Sequence, residues 1–202
     1  MLRVLNLPGW LNSGPAHWQS LWETEHGYMR VDQHDWQRPL RGDWIARLED
    51  VVLLNSELLA HTPQGLQADL PLKNAANTAP GIVLVAHSLG CHLVAAWAAA
   101  SRNAHLVKAA LLVAPPDANQ ENLPSDLANW RRPVLEKLPF PSICAISSND
   151  PFCCLDAGRA LAAAWQSECV ELGPLGHVNS ESGIGDWPAG HQLLAKLLLK
   201  NF

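Results

Sequence analysis

Ser88 is the residue in this sequence best placed for covalent chemistry. It lies in Ala86-His87-Ser88-Leu89-Gly90, between a short apolar run and a segment whose apolar residues recur on one side of a helix. Small residues stand two positions before and two positions after the serine, as a tight strand-to-helix turn requires where the two elements cross closely. The pattern predicts a strand, a sharp turn and a helix. Ser88 is therefore a candidate nucleophile, although serine also serves as an ordinary helix N-cap.

A serine nucleophile needs a base and an acid, and the chain offers both further on. A serine hydroxyl is weak at its own pKa, and a histidine can take its proton at neutral pH. His177 and Asp150 each follow a predicted strand. Asp150 would fix the imidazole tautomer and stabilise the imidazolium. The order of serine, acid and histidine is that of the α/β-hydrolase triad, and Ser88 then occupies the nucleophile elbow, usually written G-x-S-x-G.

Other residues compete for these roles. Asp117 is the main alternative acid because it also follows a strand. Asp150 is preferred because the acid of this fold usually follows the second strand after the elbow strand. His87 and His92 flank the nucleophile, but neither stands where the chain order requires the base. His17 is expected to be a packed or hydrogen-bonded structural histidine.

Two backbone N–H groups are predicted to form an oxyanion hole. Leu89 follows the serine at a helix N-terminus, so its N–H is placed to donate to a developing oxyanion. The second donor is expected in the loop after the first strand, where hydrolases of this fold place it. Trp10 is the candidate there because Gly9 lets the backbone approach closely. An ordinary strand-to-helix turn is the alternative interpretation of this loop.

Alternating strands and helices must position these residues. Six strands are predicted: 3–7, 29–33, the elbow strand from 82, 109–114, 142–147 and 169–172. Helices are predicted after Pro15, over 44–59, after the elbow, over 155–165 and over 191–199, with a connector over 64–81 and an irregular segment with a short helix over 123–134. This alternation indicates a mainly parallel sheet with helices on both faces. We expect one α/β-hydrolase domain over residues 1–202, without a cap domain.

The composition of the chain argues against several kinds of binding partner. The chain has 202 residues and a formal net charge of −5. Because it has no basic run and no apolar run of membrane-spanning length, neither nucleic acid nor a membrane is an expected partner. It contains five cysteines but no C-x-x-C pair, so we expect reduced thiols in a cytoplasmic protein and no bound metal. No cofactor is predicted.

The combined motifs resemble the small serine hydrolases of the retinoblastoma-binding protein 9 type. The resemblance covers nearly the whole chain. The residues that carry it are Pro8-Gly9-Trp10, His17-Trp18, Asp35-Trp36 with Pro39 and Trp44, Ala86 to Gly90, Ser148 to Phe152, and Gly176 to Asn179. It implies a compact α/β-hydrolase without a lid, a triad of Ser88, Asp150 and His177, and hydrolysis of small esters or similar acyl compounds.

One property of that family is not expected here. Its name comes from a member that binds a pocket protein through an L-x-C-x-E peptide. The corresponding segment, Ser167 to Glu171, retains C-x-E but has serine in the leucine position and lies in a predicted strand. Pocket-protein binding is therefore not supported, and a small acyl substrate is the expected partner.

Two other activities remain open at this point. One is a non-catalytic or weakly catalytic protein-binding module on a hydrolase scaffold, because fold alone does not fix function. The other is a perhydrolase-like or haloperoxidase-like activity of the same triad. Without a cap domain the substrate pocket should be shallow, with Trp10 and Trp187 as candidate wall residues, and should favour short acyl groups.

Overall fold

The structure is a computed structural model that describes residues 2–61, 80–121 and 123–201. The strands are β1 (Leu2–Leu7), β2 (Met29–Arg30), β3 (Gly81–His87), β4 (Val107–Val113), β5 (Ser142–Ile146) and β6 (Glu168–Glu171). The α-helices are α1 (Trp18–His26), α2 (Arg41–His61), α3 (Leu89–Ala100), α4 (Leu155–Trp165) and α5 (Pro188–Asn201). Short 3-10 helices span Ala104–Leu106, Ser125–Trp130 and Ser180–Ser182. Of the predicted connector over 64–81, residues 64–79 lie outside the described residues.

All strand pairs are parallel, and the six strands follow the order β2-β1-β3-β4-β5-β6. The elbow strand β3 lies between β1 and β4, with Leu84 paired to Leu5 on one side and to Ala110 on the other. All seven of its residues are buried. This position explains the continuous apolar run, because a strand covered on both faces has no solvent side.

Helices cover both faces of the sheet, and alternate residues of β3 point to opposite faces. Ile82 and Leu84 belong to the core that α2, α3 and α4 cover, together with Trp44, Leu93 and Trp165. On the other face, Val83 and Val85 belong to the core under α1 and α5. The predicted α/β-hydrolase architecture is thus confirmed. None of the described helices is long and apolar enough to cross a membrane.

The start of α1 differs from the sequence expectation. The helix begins at Trp18, and Pro15 lies in the preceding turn rather than in the first helical position. His17 is the N-cap, and its Nδ1 accepts a hydrogen bond from the Gln19 N–H at 3.2 Å. The side chain of His17 therefore caps the N-terminus of α1.

The second strand is also shorter than predicted, because β2 contains only Met29 and Arg30 of the predicted 29–33. It is an edge strand that pairs with β1 alone. One further backbone bond, from Val31 N–H to the Asn6 carbonyl at 2.9 Å, continues the contact with β1 before the chain leaves the sheet.

Trp187 is a core residue and not a pocket wall, contrary to the sequence expectation. Its side chain is only 3% exposed. Its ring stacks on Trp22 at a centroid distance of 6.2 Å and meets Trp18 edge-on at 5.2 Å. Gly190 makes room for this ring, because an added Cβ at Gly190 would collide with it. Trp187 thus fixes α5 against α1.

Candidate active site

Ser88 lies on a strained turn between β3 and α3. Its φ of 54° and ψ of −124° place a non-glycine residue in a sparsely populated region. The backbone is held there by hydrogen bonds at 2.9 Å from Ser88 N–H to the Val113 carbonyl and from Cys91 N–H to the Ser88 carbonyl. The Ser88 side chain makes no N-cap hydrogen bond. Ser88 is therefore an N-cap by position only, and its hydroxyl is available for another partner.

Close packing explains the small residues around the serine. An added Cβ at Gly90 would collide with the carbonyl oxygen of Leu7 at the end of β1. Ala86, two residues before Ser88, is fully buried in the sheet. The methyl group of Ala86 is thus accommodated where the usual motif has glycine, whereas no side chain fits at Gly90.

The structure brings Ser88, His177 and Asp150 together in one hydrogen-bonded chain. His177 Nε2 lies 2.9 Å from Ser88 Oγ. On the opposite side of the ring, His177 Nδ1 lies 3.0 Å and 2.9 Å from the two carboxylate oxygens of Asp150. The side chains of His177 and Asp150 are 10% and 2% exposed. The arrangement can carry a proton from the hydroxyl to the imidazole beside a buried carboxylate.

Asp117, the alternative acid, forms its hydrogen bonds with residues outside the chain of Ser88, His177 and Asp150. Its Oδ1 accepts the Asn119 N–H at 2.9 Å, and its backbone N–H donates to the Phe152 carbonyl at 2.9 Å. It therefore closes a turn of its own and supports the Asp150 loop through backbone contacts. Among the described residues, Asp150 is the carboxylate that contacts His177.

Ser147 and Asn149 connect two loops through hydrogen bonds: the acid loop, which follows β5 and carries Asp150, and the histidine loop, which follows β6 and carries His177. The sequence analysis did not assign this function to them. Asn149 Oδ1 accepts the Gly176 N–H at 2.7 Å, and Ser147 Oγ accepts the Leu175 N–H at 2.9 Å. Ser147 Oγ also donates to the Gly173 carbonyl at 3.2 Å. The signal for Asn149 was its position one residue before the acid, at the end of a strand. Its partner could be identified only once β5 and β6 were seen to be neighbours.

Two backbone N–H groups beside Ser88 lack an internal partner among the described residues. Trp10 and Leu89 donate no backbone hydrogen bond to any residue that the structure describes. Gly9 lies against Ser88, so the chain leading to Trp10 passes next to the hydroxyl. The loop is held in place because the Trp10 ring N–H donates to the Gln37 carbonyl at 2.9 Å and Leu11 N–H donates to the Trp36 carbonyl at 3.1 Å.

Comparison with known proteins places this geometry in a family. A family model described as serine hydrolase matches residues 4–68 and 68–196. The chain belongs to the serine hydrolase family. Its geometry and this match agree with the resemblance to small serine hydrolases, and the protein is a hydrolase enzyme.

Solved structures with the same fold include other hydrolases. A YdeN-like hydrolase from Pectobacterium atrosepticum is 25% identical, with a TM-score of 0.74 over 98% of this chain and 90% of that one. The ydeN gene product of B. subtilis is 17% identical, with a TM-score of 0.66 over 98% and 99% of the two chains. A butyrate-bound esterase, Est2 of Thermogutta terrifontis, is 17% identical, with a TM-score of 0.61 over 98% and 82%. No curated protein matches the sequence.

This serine hydrolase has three buried histidines near the elbow besides His177. Burial, with smaller contributions from Arg30 and His177, lowers the pKa of His17 to about 4. Burial also lowers the pKa values of His87 and His92. These three side chains are therefore neutral at pH 7. Each is packed and hydrogen-bonded: His87 Nε2 lies 2.9 Å from the His177 carbonyl and His92 Nε2 lies 2.7 Å from the Pro116 carbonyl.

The buried cysteines are poor rivals to the serine as nucleophiles. Burial raises the pKa of Cys153 to about 12 and also raises the pKa of Cys91. Since the thiolate is the reactive form, these thiols are unreactive near neutral pH. All five cysteines are free thiols. Within the described ranges, no group of three or more His, Cys, Asp or Glu side chains could hold a metal ion.

A cavity of about 460 Å³ lies beside Asp150. Its lining includes Asp117, Gln120, Ser148 and Cys154. Ser88 and His177 are not among its lining residues. Phe152, which follows the cavity residue Pro151, is 48% exposed, and its ring meets His177 edge-on at 4.6 Å.

Proposed function

We propose that this serine hydrolase cleaves small esters or related acyl compounds through an acyl-enzyme on Ser88. The observation that carries the proposal is the unbroken chain from Ser88 Oγ through His177 to the Asp150 carboxylate. A histidine held between a hydroxyl and a buried carboxylate suits general base catalysis. Because the acid and the hydroxyl contact opposite ring nitrogens, Nδ1 carries the proton and Nε2 is free to accept one.

The proposed reaction has two halves. In the first, His177 Nε2 takes the Ser88 proton while Oγ bonds to the substrate carbonyl carbon, and the imidazolium then returns that proton to the departing alcohol. In the second, a water gives a proton to His177 and attacks the acyl-enzyme carbonyl. The proton passes back to Ser88 as the carboxylic acid leaves. Asp150 keeps the tautomer fixed and stabilises the imidazolium in both halves.

The oxyanion of each tetrahedral intermediate is assigned to the backbone N–H groups of Trp10 and Leu89. Both groups lack an internal partner in the described part of the chain. Leu89 directly follows Ser88, and Trp10 directly follows Gly9, which lies against Ser88. Donors fixed before the reaction stabilise developing charge without reorganising. In comparable acyl-transfer enzymes, removal of one such donor costs on the order of 10² to 10³ in kcat.

Small substrates fit the surroundings of Ser88. Between β4 and β5, the regular structure of the described residues is limited to the 3-10 helix Ser125–Trp130. Phe152, whose ring meets His177, is 48% exposed, and Leu11, in the loop that follows Gly9, is 59% exposed. An open site with a few apolar groups holds short acyl chains better than long ones. The described strands form one sheet, which supports the inference that residues 1–202 act as one domain.

Hydrolysis of p-nitrophenyl butyrate by the wild type and S88A tests this proposal. We expect the wild type to release p-nitrophenol and S88A to lose on the order of 10⁴ to 10⁶ in kcat, as for loss of the nucleophile in other serine enzymes. Circular dichroism should show equal helix content and a similar thermal midpoint for both proteins. A fully folded S88A variant with wild-type turnover would contradict the proposal.

A further inference from the structure

The turn that carries His177 is strained at the residue that follows the histidine. Val178, the next residue, has a φ of 50° and is fully buried. A β-branched residue is disfavoured in the left-handed region and persists there only where the surroundings hold it. The position of the His177 ring therefore depends on whatever fixes this turn.

Two ring N–H groups from other elements donate hydrogen bonds to consecutive carbonyl groups of this turn, those of His177 and Val178. His87 Nε2 lies 2.9 Å from the carbonyl oxygen of His177. Trp18 Nε1–H donates to the carbonyl oxygen of Val178 at 2.8 Å. The two donor rings also meet each other edge-on, with centroids 6.1 Å apart. A third bond, from Val178 N–H to the Leu175 carbonyl at 3.1 Å, lies within the loop itself.

The contact made by His87 fixes its tautomer. A carbonyl oxygen only accepts, so His87 Nε2 must carry the proton and donate. The groups facing the His87 ring are the imidazoles of His17 at 4.7 Å and His177 at 4.9 Å between centroids. Of the charged groups behind them, the Arg30 guanidinium acts on His17, and the Asp150 carboxylate is hydrogen-bonded to His177. Burial, with smaller contributions from the His17 and His177 imidazoles, lowers the pKa of His87, although the hydrogen bond to the His177 carbonyl raises it. His87 is therefore a neutral donor.

We propose that His87 is a positioning residue for His177, and that its Nε2–H bond to the His177 carbonyl sets the distance between His177 Nε2 and Ser88 Oγ. The inference rests on the proposed function of the triad. His87 immediately precedes Ser88 at the end of β3, so one peptide unit joins the residue that holds the base to the nucleophile itself. The same strand end thereby fixes both reacting groups.

The neutrality of His87 matters for the same step. His177 becomes an imidazolium when it takes the Ser88 proton. A second cation 4.9 Å away would oppose that charge, whereas a neutral donor ring does not. The two hydrogen bonds to the strained turn thus position His177 for the proton transfer from Ser88. The neutral His87 ring does not oppose the charge that this transfer creates.

The test compares His87 with a matched histidine. In H87L the donor is lost, whereas in H87Q the amide nitrogen can replace Nε2–H. His92 is the control, because it is equally buried and donates through the same ring nitrogen to the carbonyl of Pro116, outside the triad. For each variant we would measure kcat and KM with p-nitrophenyl butyrate, the rate of inactivation by a fluorophosphonate, and the thermal midpoint.

We expect H87L to lose about 10²-fold in kcat and in inactivation rate with KM little changed, the size of effect that a misplaced catalytic group produces. H87Q should recover most of that loss, and H92L should react at the wild-type rate even where its thermal midpoint falls. The downfield proton resonance of the His177–Asp150 hydrogen bond should broaden in H87L and persist in H87Q and H92L. If H87L does not fold, H87N takes its place, because the shorter amide stops before the His177 carbonyl.

Wild-type rates in folded H87L or H87N would overturn the inference, as would an H87Q variant no faster than H87L. An H92L variant that loses as much kcat as H87L would also overturn it, since the effect would then be one of general packing. These results differ from failure of the proposed function, in which the wild type itself would not react with the fluorophosphonate.

Discussion

Gly9 lies directly against Ser88. A Cβ atom added to Gly9 would stand 2.7 Å from Ser88 Cβ and 3.0 Å from Ser88 Oγ, with the His87 carbonyl oxygen at 3.2 Å. The loop after β1 and the elbow after β3 therefore meet at the reacting hydroxyl. Gly9 is the position where this approach requires the absence of a side chain.

Replacing Gly9 with alanine should disturb catalysis more than stability. In G9A the new methyl group displaces either Ser88 or the backbone of Trp10, and a shift near 1 Å in such a group lowers the rate by about 10². The measurement is kcat/KM with p-nitrophenyl butyrate together with the thermal midpoint. G14A is the control, because an added Cβ at Gly14 meets no atom within 4 Å. Equal kcat/KM values for G9A and G14A would show that the close approach has no catalytic effect.

The assignment of the acid to Asp150 and its assignment to Asp117 predict opposite effects of substitution on kcat. In D150N the carboxylate that orients His177 is lost, and kcat should fall on the order of 10⁴, by analogy with other serine triads. In D117N the turn that Asp117 closes is weakened, but no contact to the imidazole is lost, so kcat should change less than about tenfold. Steady-state kinetics of both variants decides the assignment. A larger loss in D117N than in D150N would contradict it.

The open surroundings of the site predict a preference for short acyl chains. A series of p-nitrophenyl esters from acetate to palmitate should give its highest kcat/KM at two to four acyl carbons, since that ratio measures specificity. Adding lipid vesicles should not increase the rate. The proposal of a small-substrate site would be wrong if the palmitate ester were the best substrate.

The buried histidines predict that stability falls at acid pH. Burial lowers the pKa of His17 to about 4 from its usual 6.5, so between these values the unfolded chain binds more protons than the folded one. The free energy of unfolding should therefore decrease as the pH falls from 7.5 to 5, with about 2 kcal/mol of that loss due to His17 alone. His87 and His92 act in the same direction.

The variant H17N isolates the His17 contribution. Asparagine is a good N-cap, so the start of α1 should be kept while the titrating group is removed. Urea unfolding at pH 7.5 and pH 5 should show a smaller loss in H17N than in the wild type, by about 2 kcal/mol. An identical loss in both proteins would mean that His17 does not carry the pH dependence.

Much of the architecture could be predicted because short stretches of the sequence specify individual strands, turns and helices. The apolar run of β3, the small residues around Ser88 and the helical spacing after it specify the elbow without knowledge of the rest. Because parallel strands end at the same edge of the sheet, the positions of Asp150 and His177 after later strands were enough to bring them together. The length of β2 was not predictable, since an edge strand ends where its one neighbour stops pairing.

Side-chain contacts explain the features that the sequence analysis did not predict. Pro15 favours a helix start, but the side chain of His17 caps the helix two residues later. Trp187 appeared suited to a pocket wall, yet its contacts with Trp18 and Trp22 place it in the core. The role of Asn149 likewise depends on a loop 27 residues away in the chain. The partners of Trp187 and Asn149 are distant in the sequence, so no local pattern identifies them.

Covalent labelling of Ser88 tests the central claim most directly. The wild type, S88A and H177Q would be treated with a fluorophosphonate and analysed by intact mass and by peptide mapping. The account predicts one adduct per chain in the wild type, mapped to Ser88, no adduct in S88A, and slow labelling in H177Q because the base is missing. Labelling of S88A at the wild-type rate, or an adduct mapped to any other residue, would contradict the account.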